Sequence, residues 1–186
     1  MMTKYWQKYI FLFVTLLVNT ARAQYVSIST ANNAATDLVK KLIGSNNNCI
    51  SVSNATISGW DIGGDYSYGY INSNGTNFEI NDGILLSTGN VKDAVGSYTS
   101  LQSFGDRTGW QGDRDLENAA NISGTTNATI LEFDFIPSIS KISFDYMFLS
   151  EQYLRQGDPG SCGYTDGFAF LIKKNGDPNY KNLALI

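Results

Sequence analysis

Apolar and polar residues alternate with a period of two between glycine- and asparagine-rich breaks, and this alternation restricts the fold more than any other feature. Residues 129–136 (TILEFDFI) set Leu131, Phe133 and Phe135 on one face and Glu132 and Asp134 on the other. Residues 141–149 (KISFDYMFL) repeat the pattern with Ile142, Phe144, Tyr146 and Phe148, and DGFAFLIKK repeats it with Phe168, Phe170 and Ile172. Ile50, Val52 and Ile57 mark a further strand, and residues 83–87 (GILLS) a short apolar one. Successive side chains of a strand point to opposite faces. Several such runs joined by Gly/Asn/Ser/Asp loops predict a mainly β fold, an antiparallel, jelly-roll-like β-sandwich. One short N-terminal helix is expected over 31–43 (ANNAATDLVKKLI). Leu38, Val39, Leu42 and Ile43 recur there at helical spacing, Asn33 or Thr36 caps the start, and Gly44 ends it. Asn175-Gly176-Asp177-Pro178 reads as a turn.

The first 23 residues read as an export signal. Lys4 and Lys8 form a basic start, residues 9–18 (YIFLFVTLLV) an apolar run, and Ala21-Arg22-Ala23 a small-x-small cleavage site before Gln24. The other reading is a membrane anchor, but the run is shorter than the ~20 residues a spanning helix needs. No later segment is long and apolar enough to span. Residues 24–186 then form one domain, without an internal repeat or a linker. Removing Lys4, Lys8 and Arg22 moves the balance from 13 basic and 17 acidic residues to 10 and 17, a net charge of −7. An acidic chain lacks the basic face that a nucleic-acid binder needs. The absence of histidine excludes Ser-His-Asp and Cys-His catalysis and imidazole zinc sites. Two cysteines, Cys49 and Cys162, cannot build a four-cysteine zinc site. In an oxidising compartment they are expected to form a disulfide, the alternative being two separate buried thiols.

Three constellations carry candidate chemistry. The long loop over 87–128 contains Gly105-Asp106 and Gly112-Asp113-Arg114-Asp115-Leu116-Glu117. Alternating acids in a glycine-rich loop suit Ca²⁺, which takes 6–8 oxygen ligands, although the spacing is not that of an EF-hand. The second loop, 150–167, contains Ser150-Glu151, Asp158, Asp166 and Gly167. Metal candidates are therefore Asp113, Asp115, Glu151 and Asp166, against the plainer reading of solvated loops and turn residues. Trp110, Tyr153 and Tyr164 lie in the same loops and supply flat faces for a ligand. The third constellation is Glu132 and Asp134, which share one strand face. Paired carboxylates on a sandwich can hydrolyse glycosides. The laminarinase pattern E-x-D-x-x-E has Pro137 at its third position here, so the outer polar face of a half-buried strand is the competing reading. Four N-x-S/T sequons begin at Asn54, Asn74, Asn121 and Asn127. Residues 182–186 (NLALI) read as the start of a strand with no partner, as in a chain cut short after Ile186.

The ordered set of motifs resembles the choice-of-anchor L domain of bacterial exported proteins. The resemblance rests on GILLSTGN at 83–90, Ala94-Val95-Gly96, Gly112-Asp113-Arg114-Asp115-Leu116, and Thr126-Asn127 leading into LEFDF at 131–135 and Pro137. It continues through Ile142-Ser143-Phe144, Phe148 with Ser150-Glu151 and Tyr153, Asp166 with Phe168-Ala169-Phe170, and NLALI. It implies a secreted or surface-held β-rich module whose anchor varies between proteins. The S-E-E-Y run of the family has Gln152 in place of its second acid. The DGFAF segment is also similar to the strand entry of legume-type lectins, where the acid helps to hold Ca²⁺ beside the sugar.

These features together lead us to expect an exported binding or adhesion module at the bacterial surface or beyond it. Its expected partners are a surface glycan or another extracellular protein, with Ca²⁺ organising the loops. The alternatives are a glycan-cleaving enzyme using Glu132 with Asp134 or Glu151, and a structural spacer. Export with cleavage after Ala23 predicts that mass spectrometry of the secreted protein finds Gln24 at its N-terminus. An intact Met1 on exported protein overturns the signal assignment.

Overall fold

A computed structural model of the chain describes residues 25–44, 50–96, 109–138, 140–150 and 166–184. The export signal, Asp106, Asp158, both cysteines, Glu151, Tyr153 and Tyr164 lie outside the described residues. The elements in chain order are β1 (Ser27–Ser29), α1 (Ala35–Ile43), β2 (Ile50–Ser58), β3 (Asp61–Ile62), β4 (Asp65–Tyr66), β5 (Tyr68–Asn72) and β6 (Asp82–Leu86). A 3-10 turn (Val91–Val95), α2 (Arg114–Ala120), β7 (Ile130–Pro137), β8 (Leu171–Ile172) and β9 (Lys181–Asn182) follow. The chain is mainly β, and each of these strand pairs is antiparallel. The described strands form a three-stranded sheet in the order β1-β5-β6 and three two-stranded sheets, β2-β7, β3-β4 and β8-β9. No helix among the described residues is long and apolar enough to cross a membrane.

The β2–β7 ribbon follows the sequence alternation. Leu131, Phe133 and Phe135 are half-buried, whereas Glu132 and Asp134 are exposed. On β2 the buried set changes parity, from Ile50 and Val52 to Ala55 and Ile57. A bulge causes the change: Ser53 pairs with Asp134 and Thr56 with Glu132, so two residues oppose one. Asn54 occupies the bulge with φ 53°, a left-handed conformation that asparagine tolerates better than other side-chain-bearing residues. The extra residue shifts the phase by one and keeps the apolar set on one face along the whole strand.

Four features differ from the sequence reading. Helix α1 begins at Ala35 rather than at residue 31, because Asn32 is left-handed (φ 54°) and residues 31–32 form a turn. Its N-cap is Ala34, which offers no side-chain cap; Gly44 ends the helix as expected. The 87–128 stretch is not a plain loop, for it contains the 3-10 turn and a second helix, α2. None of the α2 residues is fully buried, so its apolar periodicity is weak and its signature lies in the caps. The expected strand over 141–149 has no ladder among the described residues. Its alternation persists in side-chain packing, with Phe144 4.3 Å from Phe170, and Tyr146 5.4 Å and Phe148 6.2 Å from Phe168, between ring centroids. Periodicity reports which face a side chain occupies, while a strand also needs a backbone partner. Finally, the start of the NLALI segment has a partner, because Asn182 pairs with Leu171 across the Asn175-Gly176 turn and the Leu183 N–H donates to the Phe170 carbonyl at 2.7 Å; Leu185 and Ile186 lie outside the described residues.

Leu38 and Val39 of α1 and Val91 of the 3-10 turn are fully enclosed, with Tyr68 and Ile71 of β5 beside them in the buried set. One polar residue is buried as deeply. Ser67, between β4 and β5, has no exposed surface. Its hydroxyl accepts from the Trp60 backbone N–H at 2.9 Å and lies 2.7 Å from the Thr129 hydroxyl, which is 2.6 Å from the Ser87 carbonyl oxygen. Each link has its own proton when Ser67 donates to Thr129 and Thr129 donates to Ser87. A side chain at Gly59 would collide with the Ser67 hydroxyl, so this crossing requires glycine. The Ser67 backbone adds links to Trp60 and Ser87 at 3.0 and 2.8 Å. The cluster thus joins the end of β2, the start of β5, the end of β6 and the start of β7. Ser67→Ala leaves buried partners unsatisfied and is expected to cost about 1–3 kcal/mol in denaturant unfolding. Thr129→Val in the Ser67→Ala background should cost less than Thr129→Val alone, and strict additivity would refute the coupling.

Candidate functional site

Residues 109–128 fold back on themselves. Gln111 bridges Thr126, the Asn127 N–H donates to the Trp110 carbonyl at 2.8 Å, and the Ala128 N–H donates to that of Gln111 at 3.0 Å. Within this excursion Asp113 caps α2, its carboxylate accepting from the Leu116 N–H at 2.6 Å. Asn121 closes the other end in a left-handed conformation. Glu117 accepts both the N–H and the hydroxyl of Thr125, at 2.8 and 2.9 Å, and the Thr125 hydroxyl accepts from the Asp113 N–H at 3.0 Å. Gly112 allows this approach, because a side chain there would strike the Thr125 carbonyl. The acids of GDRDLE therefore build a helix start, with Asp113 committed to the cap.

Asp166 has two hydroxyl partners at long range, Thr88 at 3.5 Å and Ser150 at 3.3 Å. Gly167 lies against Leu116 and Ile122, which brings the Asp166 segment beside α2. The structure thus draws two sequence constellations together. No group of three or more acidic or cysteine side chains that could hold a metal is gathered among the described residues. Glu151 lies outside them, as do Tyr153 and Tyr164. Trp110 is half-buried, its ring 5.9 Å from that of Trp60 and its indole N–H donating to the Ala128 carbonyl at 2.9 Å.

An open polar arrangement lies on the outer face of the β2–β7 ribbon. Ser51, Ser53, Asn54, Thr56 and Ser58 of β2 are exposed beside Glu132 and Asp134 of β7. The Asn54 amide donates to Asp134 at 2.7 Å, so the bulge also positions this carboxylate. Glu132 accepts from the Tyr180 hydroxyl at 3.1 Å, and the Lys173 ammonium lies 4.2 Å from the Tyr180 ring centroid. Burial first, then the hydrogen bond to Glu132 and its charge, push the Tyr180 phenol above its ordinary value and keep it a donor. The sequence reading had the Glu132–Asp134 pair but missed Asn54, Tyr180 and Lys173. Asn54 is 80 residues from Asp134, and Tyr180 is 48 from Glu132. The parity break at Ala55 was the one available signal for the bulge.

All four sequon asparagines have positive φ, at 53° for Asn54, 51° for Asn74, 54° for Asn121 and 59° for Asn127. Asn54 and Asn74 use their side-chain amides, on Asp134 and on the Tyr25 carbonyl, and Asn127 is buried. These asparagines serve left-handed turns, caps and a bulge.

The Thr125 N–H, then the Thr125 hydroxyl, hold the Glu117 carboxyl below its ordinary value of 4.5. A depressed carboxyl stabilises the fold while ionised and loses that contribution as the pH falls through its native pKa. Glu117→Gln is therefore expected to be less stable than wild type at neutral pH. The difference should shrink on acidification below 4.5, read by denaturant unfolding across a pH series. A pH-independent difference would show that the charge is not the source.

No curated protein and no solved structure matches the chain. A family model for the choice-of-anchor L domain matches residues 27–186, nearly the whole chain. The chain belongs to the choice-of-anchor L domain family, modules of surface-associated bacterial proteins.

Proposed function

We propose that this protein is an exported adhesion module that binds glycans on the outer face of the β2–β7 ribbon. The observation that carries the reading is the paired carboxylates Glu132 and Asp134, exposed side by side and oriented by Tyr180 and Asn54. Carboxylates accept strong, short hydrogen bonds from vicinal hydroxyls. The row of Ser51, Ser53, Thr56 and Ser58 adds groups that both donate and accept. Ile136, 72% exposed, and the half-buried Tyr180 ring supply apolar surface for a sugar face. Both carboxylates are open to water, without the apolar enclosure that turns one member of such a pair into a general acid, so binding is favoured over hydrolysis.

A surface-associated context supports the reading, as does the export-signal pattern of residues 1–23, since an exported module meets glycans. The test is a glycan array probed with residues 24–186, followed by titration of any hit. Replacing each carboxylate, Glu132→Gln and Asp134→Asn, is expected to weaken binding by about 10- to 100-fold, the equivalent of one hydrogen bond to a charged group. Both positions are exposed, so circular dichroism should show the fold retained. Unchanged affinity in both variants refutes the assignment of this face. Turnover of a bound glycan that is lost in Glu132→Gln replaces binding by catalysis.

A further inference from the structure

Away from the β2–β7 outer face, a cleft of about 550 Å³ opens between α1 and the β5–β6 strands. Its walls carry Asn32, Asp37, Lys40, Lys41, Tyr70 and Asp82. The volume lies within the roughly 300–1,000 Å³ of small-ligand sites. Two contacts cross the cleft. Lys41 of α1 is ion-paired with Asp82 of β6, tying the helix to the sheet. The Tyr70 hydroxyl donates to the Asn32 carbonyl at 2.5 Å, which fixes the ring in the wall. The other pair is loose. Lys40 and Asp37 meet at 3.4 Å, with their side chains 66% and 43% exposed. Exposed ion pairs of this kind contribute roughly 0–1 kcal/mol, so a ligand can separate them at little cost.

The charge pattern selects the ligand. An anion that takes Lys40 leaves Asp37 unpaired beside it, and a cation that takes Asp37 leaves Lys40 unpaired. A zwitterion re-pairs both, its carboxylate on Lys40 and its ammonium on Asp37. We propose that this cleft binds a small zwitterion, an ammonium and a carboxylate on one compact skeleton, with an apolar portion against Tyr70. An α-amino acid and a carboxylated amino sugar share this chemistry. The proposal does not depend on glycan binding at the β2–β7 face, since it uses none of those residues.

The test is an NMR titration of residues 24–186 with four probes at matched concentration and pH. Leucine and muramic acid are zwitterions, N-acetylmuramic acid carries only the carboxylate, and glucosamine carries only the ammonium. The expected result is saturable shifts of α1 and β5 amides with at least one zwitterion, and binding about two- to fivefold weaker with both single-charge probes. Response to leucine alone assigns an amino acid, and response to muramic acid alone assigns the amino sugar. Lys40→Met and Asp37→Asn should each weaken zwitterion binding about two- to fivefold, whereas Lys40→Arg should leave it unchanged. All three change exposed side chains, and the amide spectrum reports whether the fold is intact. Equal binding of either single-charge probe, or no response to either zwitterion, overturns the proposal.

Discussion

The hydroxyl junction at Ser67 joins the three-stranded sheet to the β2–β7 ribbon. Ser67 precedes β5 and Ser87 follows β6, so one side of the junction is the three-stranded sheet. Trp60 follows β2 and Thr129 precedes β7, so the other side is the ribbon. Hydrogen bonds of 2.6–2.9 Å through two hydroxyls connect all four chain segments at a point with no exposed surface. In such a place an unmade hydrogen bond costs more than a made one contributes, so the geometry tolerates little displacement. The Trp60–Trp110 contact extends the joint to the base of the 109–128 excursion, and through it to α2.

From this joint the ribbon runs outward with one face turned to the hydrophobic side and the other to water. The Asn54 bulge has two consequences. It restores the apolar phase of β2 and it places an amide on Asp134. The β8–β9 hairpin reaches the same face through Tyr180, whose hydroxyl holds Glu132 while Lys173 lies over its ring. A carboxylate pair evident from its spacing therefore becomes an oriented set only where three separate chain segments meet.

The α1 cleft follows another logic. Helix α1 buries Leu38 and Val39 and so turns Asp37, Lys40 and Lys41 toward the β5–β6 side and solvent. Helical spacing places these charges together, but their opposing wall, Tyr70 and Asp82, arrives from a sheet assembled by the β1-β5-β6 pairing. The Lys41–Asp82 pair then bridges helix and sheet, while the Lys40–Asp37 pair lies along the helix.

Local physics was legible in the chain itself. Period-two alternation identified β7 and the burial of Leu131, Phe133 and Phe135, because strand geometry sends alternate side chains to opposite faces wherever the strand lies. Helical spacing found α1 and its Gly44 stop, and the ordered motifs identified the family. The start of α1 was misplaced because Asn32 takes a left-handed turn just before it. Helix α2 was missed because its formation rests on Asp113, Glu117 and Thr125 rather than on an apolar stripe. The segment over 141–149 kept its alternation without a ladder because a strand requires a partner backbone. Asp113 is taken by a cap that its own neighbours in sequence build, whereas tertiary structure alone decided how the open acids are held: Glu132 and Asp134 are oriented by residues 48 and 80 positions away, and Asp37 faces a sheet. Propensity and periodicity act between near neighbours in sequence, whereas the availability of a side chain depends on contacts that form when distant segments pack.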